Sequence, residues 1–271
     1  MKRIWMQRWL FAIVIVAGFV CVSSATARAD DWSKTYTLTG KPDLRVDTSD
    51  ANIRVTTWDQ NTIQAKVTAT RYKIGEGGIH IDEHQNGNSV EIDVRYPHHG
   101  VTIDIGNHRV DIEIQMPREG RVDLHTGDGK IELANFQGEM QLRSGDGSQE
   151  IDSVDGKLHA TTGDGHIRAN GRFDELELKT GDGRVEARAL GGSRVATSWR
   201  LETGDGSVSL ELPDGLAADV ELHTGDGHID LDMPVTTEGK LRENEVHGKL
   251  NGGGNLLVIH TGDGSIHLRK G

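Results

Sequence analysis

Cysteine is all but missing from this chain: the single copy, Cys21, lies in an N-terminal stretch that reads as a leader. The remainder of the chain has no thiol for a disulfide or a thiolate metal site, so its stability has to come from packing and hydrogen bonds. Aromatic residues make up only 4% of the chain and several of them lie in the same stretch, which leaves few flat faces for stacking sugar rings or bases. Long apolar runs are missing too. The only candidate, Trp9 to Val22, is shorter than the ~20 residues of a spanning helix. No segment outside the leader has a helical period. The motifs HExxH, GxSxG and GxxxxGK[ST] do not occur, which removes the usual sequence marks of zinc proteases, serine hydrolases and phosphate-binding loops.

The leader itself is well formed. Lys2, Arg3 and Arg8 precede the apolar run and Ala27-Arg28-Ala29 supplies a small-x-small cleavage site, so residues 1–29 read as a secretory signal and the mature chain begins at Asp30. Val20 stands before Cys21 where a lipoprotein signal needs a small residue, which argues against lipidation. The expected location is therefore outside the cytoplasm, whether periplasmic, cell-surface or secreted, with no transmembrane segment in the mature chain. Removing the leader takes away four of the 30 basic residues and none of the 42 acidic ones, for a mature net charge of −16 with histidines neutral. Such a surface repels nucleic acid and acidic polysaccharide and attracts cations.

What the sequence has in abundance is one tetrapeptide. TGDG, once as SGDG, occurs seven times, with aspartates at Asp128, Asp146, Asp164, Asp182, Asp205, Asp226 and Asp263. The first three intervals are 18 residues each, and the later ones are 23, 21 and 37. Recurrence at a near-fixed interval is the mark of one supersecondary unit stacked on copies of itself. Four and two residues before each Thr or Ser stand apolar columns, from Val122 and Leu124 in the first copy to Leu257 and Ile259 in the last. Five and seven residues after it stand two more, from Ile131 and Leu133 to Ile266 and Leu268, broken only by Gln149.

Alternation at period two marks a strand with one buried face on each side of the motif. The offsets are even before the motif and odd after it, so the chain has to turn a corner at GDG for both faces to meet one core. The corner glycines are Gly127, Gly129, Gly145, Gly147, Gly163, Gly165, Gly181, Gly183, Gly204, Gly206, Gly225, Gly227, Gly262 and Gly264. Glycine suits a corner that needs positive φ or room for a neighbouring backbone. A degenerate copy lies upstream in LRVDTSDANIRV, where Ser49 and Ala51 replace the glycines around Asp50. The pattern predicts an all-β protein, a parallel β-helix or β-solenoid with coils of about 18 residues. The alternative is an antiparallel β-sandwich, which gives no reason for the same corner to recur. Residues 30–271 form one solenoid domain in this reading, with irregular excursions near 72–109 and 233–256.

Stacking puts the aspartates in one column, where like charges ~5 Å apart repel by about 0.8 kcal/mol per pair in water. Two readings offset this. Each carboxylate accepts backbone N–H bonds within its own turn and points outward, or the column holds a row of cations, most simply Ca²⁺. The turn reading is preferred, since the nonapeptide GGxGxDxUx of calcium β-rolls is not present, so no cofactor, metal ligand or catalytic residue is assigned. Histidines also align, His125, His223 and His260 just before the Thr and His166 and His228 just after GDG. Other copies carry Arg143, Thr161, Lys179 and Glu202 in the first of those registers, as a solvated outer face does.

Taken as a set, the secretory leader, LRVDTSDANIRV, VDIEIQMPREGRVDLHTGDGKIEL, the repeated TGDG corners and the closing HGKLNGGGNLLVIHTGDGSIHL resemble the bacterial putative adhesin family. The resemblance runs from about residue 36 to the end of the chain. It implies an exported, envelope-associated β-solenoid with no assigned catalytic or ligand residues. The expected role is then a non-enzymatic adhesin-like scaffold or interaction protein whose partner is an envelope protein or surface. Open coil ends allow end-to-end self-association, and the polar insertion 233–256 is the place to look for binding. The alternatives are a carbohydrate-active enzyme on the same fold and a calcium-dependent structural module.

Overall fold

Alternate side chains of an extended chain point to opposite faces, and here only one face is apolar, so each repeat folds as two strands that share a core. The computed structural model describes residues 29–96, 109–237 and 242–271, and every regular element among them is a strand. Residues 1–28 of the expected leader, residues 97–108 of the first excursion and residues 238–241 of the second lie outside the described residues.

The chain opens with β1 (Ala29–Thr37), β2 (Asp43–Thr48), β3 (Asn52–Trp58), β4 (Thr62–Thr70), β5 (His80–Asn86), β6 (Ser89–Arg95) and β7 (Arg109–Pro117). The regular repeat supplies β8 (Glu119–Thr126), β9 (Ile131–Ala134), β10 (Gln137–Ser144), β11 (Gln149–Thr161), β12 (Ile167–Lys179), β13 (Val185–Ala189), β14 (Ser198–Thr203) and β15 (Val208–Leu212). The rest comprises β16 (Ala218–Thr224), β17 (Ile229–Asp232), β18 (Thr236–Thr237), β19 (Glu245–Leu250), β20 (Leu256–Thr261) and β21 (Ile266–Lys270).

Segments that precede GDG stack into one wall and those after it into a second. In the first wall Leu124, Leu142, Ala160 and Leu178 are successive parallel partners, each 18 residues from the last. In the second wall Ile131, Gln149, Ile167, Val185 and Val208 are successive parallel partners, the first three steps of 18 residues and the last of 23. The body is therefore a parallel β-solenoid. Antiparallel pairing is confined to the ends, in β1–β4, β4–β7 and β5–β6 at one and β16–β19 and β18–β19 at the other. The side chains between the walls are fully buried up to the size of Trp199, Phe136 and Phe173, and each such residue adds about 1.5–3 kcal/mol of apolar burial.

Order in space departs from order in the chain at both ends. The rung β2/β3 lies between β6/β7 on one side and β8/β9 on the other. Likewise β20/β21, the last copy, lies between β14/β15 and β16/β17. The fifth copy thus stacks on the seventh, and the seventh on the sixth. Both predicted excursions contain regular structure. Within 72–109, β5 and β6 form a hairpin on β2, and within 233–256, β19 lies antiparallel against β16 and buries Val246 and Leu250. Their polar composition hides one apolar face of short strands, which is all that an end strand needs.

At the GDG corner successive rungs approach as closely as backbones can. Gly204 N–H donates to Gly181 O at 2.5 Å, Gly262 N–H to Gly204 O at 2.6 Å and Gly225 N–H to Gly262 O at 2.6 Å. A Cβ on Gly147, Gly183 or Gly206 would lie inside 3.0 Å of the carbonyl oxygen of the glycine in the rung before it. None of the corner glycines has a positive φ, so of the two reasons expected for them it is room for the neighbour that operates. The degenerate copy escapes because it supplies the acceptors: Gly127 N–H donates to Ser49 O at 2.5 Å. A second glycine column, Gly120, Gly138 and Gly156, marks the opposite corner, and there Gly138 and Gly156 do take positive φ, +133° and +131°.

Two departures from the consensus turn out to be one. Gln149, the polar residue in an apolar column, is buried and donates from Nε2 to Ser144 Oγ at 2.9 Å and to Thr161 O at 2.7 Å. Ser144 is the residue that makes this copy SGDG, and its hydroxyl donates to Gly147 O at 2.7 Å. The Gln149 Oε1 is buried without a partner among the described residues. Two outcomes are expected in urea unfolding. Gly147→Ala costs more than about 2 kcal/mol, while Gly191→Ala, with no atom within 4 Å of the new methyl, stays within about 0.5 kcal/mol. The pair Ser144→Thr and Gln149→Ile together gains roughly 1–2 kcal/mol, more than the two single changes add up to, because Gln149→Ile removes the desolvated amide oxygen while Ser144→Thr keeps the hydroxyl bond to Gly147 O and adds a methyl beside the new isoleucine.

Candidate functional site

The seven aspartates and their threonines divide the corner between them, and the division is set by strand alternation. The Thr side chain, or Ser144 in the second copy, points inward and is buried in every copy. Thr180 Oγ1 lies 2.8 Å from Gly165 O and 3.0 Å from Gly163 O, and Thr261 Oγ1 lies 2.7 Å from Gly206 O. The same oxygens accept from their own turns, as in Gly183 N to Thr180 Oγ1 at 3.2 Å and Gly264 N to Thr261 Oγ1 at 3.2 Å. Threonine and glycine backbone therefore close the turn, where aspartate was expected to. Asp128, Asp146, Asp164, Asp182, Asp205, Asp226 and Asp263 all stand on the outside of the corner, in contact with solvent. At the end of the column, burial and then the charge of Asp128 push the Asp50 carboxyl above its usual range. Among the described residues no three His, Cys, Asp or Glu side chains converge as metal ligands would.

The histidines are brought together by the displaced last rung. His223 and His260 stack face to face, centroids 5.2 Å apart with 6° between planes, because β20 lies directly against β16. On the second wall His228 and His267 meet edge to face at 5.9 Å, His228 Nδ1 lies 2.9 Å from Ser265 Oγ, and His267 Nδ1 lies 3.2 Å from Asp230. His125 contacts Asp47 at 3.2 Å, and His166 Nδ1 accepts from Arg184 N–H at 3.0 Å.

Ionisable groups on both outer faces pair from rung to rung. Arg168 meets Glu186 at 2.6 Å, Lys130 meets Glu150 at 2.7 Å and Arg188 meets Glu211 at 3.4 Å. The ammonium of Lys130 and the guanidinium of Arg54 hold Glu132 below the usual carboxylate range, and Arg200 and Lys179 do the same for Glu202. Where the period breaks at residues 188–197, Arg172 and Arg194 clamp Asp174, whose carboxyl they hold far below its ordinary value. Exposed pairs of this kind contribute about 0–1 kcal/mol each, so they set register more than stability. A depression of 770 Å³ opens between Asp47, Asp50, Arg95, Tyr96 and His125.

At the C-terminal end the two walls finish differently. In the first, Thr224 N–H donates to Asn244 O at 3.0 Å and β19 covers the edge. In the second, one amide per rung donates to the next: Ile53 to Lys130, Ile131 to Ser148, Gln149 to His166, Ile167 to Arg184, Val185 to Ser207, Val208 to Ser265 and Ile266 to His228, all at 2.8–3.1 Å. Ile229 is the next residue in that series. No strand among the described residues pairs with the far side of β17, and Ile229 and Leu231 are only partly buried although their counterparts Val208, Leu210, Ile266 and Leu268 are 0% exposed. Sequence reading did not single out β17. The signal lay in the interval of 37 residues from Asp226 to Asp263, long enough for a cap and a return as well as a rung.

The model of the family described as Toastrack DUF4097 matches residues 43–194, more than half of the chain, and ends before the fifth TGDG copy. Among solved structures the chain is similar to a "putative cell adhesion protein" of Clostridium sporogenes, at 13% identity over 90% of this chain and 100% of that one, with a TM-score of 0.44. It is also similar to a "putative adhesin" of Bacteroides fragilis, at 9% identity over 88% and 96%, with a TM-score of 0.42. No protein of curated function matches. The turn chemistry at the corner predicts a melting temperature that stays fixed between millimolar Ca²⁺ and chelator. A rise of several degrees with Ca²⁺ would assign cations to the aspartate column.

Proposed function

Since the chain belongs to the Toastrack DUF4097 family, we propose that it is an exported, non-enzymatic interaction module of the bacterial cell envelope. One observation carries this reading. Among the described residues ionisable side chains run in rows along the stack, many of them paired with a neighbour one rung away, and no three acidic or histidine side chains converge on one point. General acid–base or nucleophilic catalysis needs that convergence, with groups of perturbed pKa held within hydrogen-bond reach of one reacting atom. Rows of paired charge instead make a stiff surface of fixed chemistry, suited to presenting an edge or face to a partner.

The leader supports export, and the net charge of −16 on the mature chain directs the choice of partner toward neutral or basic surfaces. A carbohydrate-active enzyme on the same fold would need a cleft with paired carboxylates at a fixed separation. The corner aspartates repeat along an outer edge and do not flank one.

Three results are expected. Exported protein starts at Asp30 by mass spectrometry. Purified mature chain sediments saturably with isolated envelope. It releases no product from a panel of polysaccharides. Turnover that disappears on one carboxylate substitution would replace the interaction reading with an enzymatic one.

A further inference from the structure

The open side of β17 is the one wall end that the described chain leaves without a cap, and its chemistry can be read from the strand on its other side. Ile266 N–H donates to His228 O, which in a parallel ladder turns residues 228, 230 and 232 toward β21 with both their backbone groups. The amides and carbonyls of Ile229 and Leu231 consequently face outward. An extended segment laid there would complete the series of amide bonds that runs unbroken from Ile53 to Ile266.

The side chains set what such a segment carries. β21 places Ile266 and Leu268 beside Ile229 and Leu231, and His267 and Arg269 beside Asp230 and Asp232. Charges in the outer row alternate along the stack as Arg188, Glu211, Arg269 and Asp232, so the next position in the row calls for a cation. Ile229 and Leu231 are partly buried and call for apolar cover, while Asp230 and Asp232 are exposed. Pairing of β17 with a second β17 does not meet this demand. Antiparallel registers that set Ile229 against Leu231 or Leu231 against itself put Asp230 opposite its own copy or opposite Asp232, like charge against like charge.

We propose that the free edge of β17 docks an extended segment of a partner protein in which apolar and basic residues alternate, added as the next strand of the second wall. This rests on the interaction-module reading and names the class of partner. Affinity comes from main-chain bonds, and specificity from the apolar and basic positions on opposite faces of the added strand.

The test uses the whole mature chain and a fluorescent peptide with the sequence of Gly264–Gly271, GSIHLRKG, which has the required alternation. Saturable binding is expected, weakened by salt, and at least tenfold weaker for the same peptide with its basic residues replaced by Asp. Ile229→Pro removes an outward amide and no bond to β21, and it is expected to abolish binding while circular dichroism and melting temperature hold. Asp232→Lys gives a second variant that leaves the backbone untouched and is expected to weaken binding at least tenfold.

Unchanged binding by Ile229→Pro would mean that the peptide displaces β21, and would overturn the proposal. So would equal affinity for the acidic peptide, or no saturation at millimolar peptide. A concentration-dependent dimer in sedimentation velocity that Ile229→Pro abolishes would assign the edge to a second copy and overturn it as well. Envelope sedimentation and polysaccharide turnover are separate measurements, so failure here leaves the interaction reading standing on its own test.

Discussion

The distance between backbones at the GDG corner governs the rest of the molecule. Amide–carbonyl bonds between glycines of adjacent rungs hold the corner as close as atoms permit, and only a residue without Cβ fits that gap. With the corner held, both walls inherit the same register, because the strand before it and the strand after it have no freedom to slip relative to the neighbouring rung. Threonine locks the arrangement from inside, bridging the carbonyls of the rung below. The apolar columns then superimpose, and the core is one continuous cluster of aliphatic side chains with the buried aromatics Tyr36, Phe136, Phe173 and Trp199 among them.

A structure fixed this firmly in its middle concentrates its individuality at the ends. The interior rungs differ mainly in which salt bridge they carry on the outside. Each end has its own solution: a hairpin and two antiparallel strands at one, β19 and the crossing segment with Met233 and Val235 at the other. Exposed edges invite unwanted pairing, and proteins usually cover or charge them. Among the described residues three wall ends are covered, and the fourth carries two exposed aspartates and apolar side chains half in view. That combination repels its own kind while leaving main-chain groups available.

Much of this was legible in the sequence, for identifiable reasons. The columns around TGDG pointed to two strands per copy, an 18-residue coil and a corner, since periodicity of two with a parity change needs a bend at GDG for both faces to meet one core. The need for glycine was legible too, although the backbone neighbour and not the sign of φ turned out to impose it. Less accessible were the ends. Nothing in the composition of 233–256 distinguishes a cap from an exposed loop, because an end strand buries one face only and its polar residues dominate the count. The exchange of order between the last two copies was hidden for a different reason: identical motifs are interchangeable as stacking partners, so repetition itself erases the information about who neighbours whom. Coupling between Ser144 and Gln149 was likewise invisible, although both stood out singly as exceptions. The role given to the corner aspartates belonged to the threonines, whose hydroxyls sit on the inward side of the strand.

The position of the last copy bears on how the rod is assembled in time. A solenoid that stacks in chain order can zip from one end, each rung settling on a finished template. This one cannot. When residues 218–232 are available, the surface they finally rest on, β20/β21, has not yet been made. The sixth copy must either wait or settle provisionally on the fifth and then be lifted away. Closure is thereby postponed until residues 256–270 arrive, a delay that adds long-range contacts and slows folding.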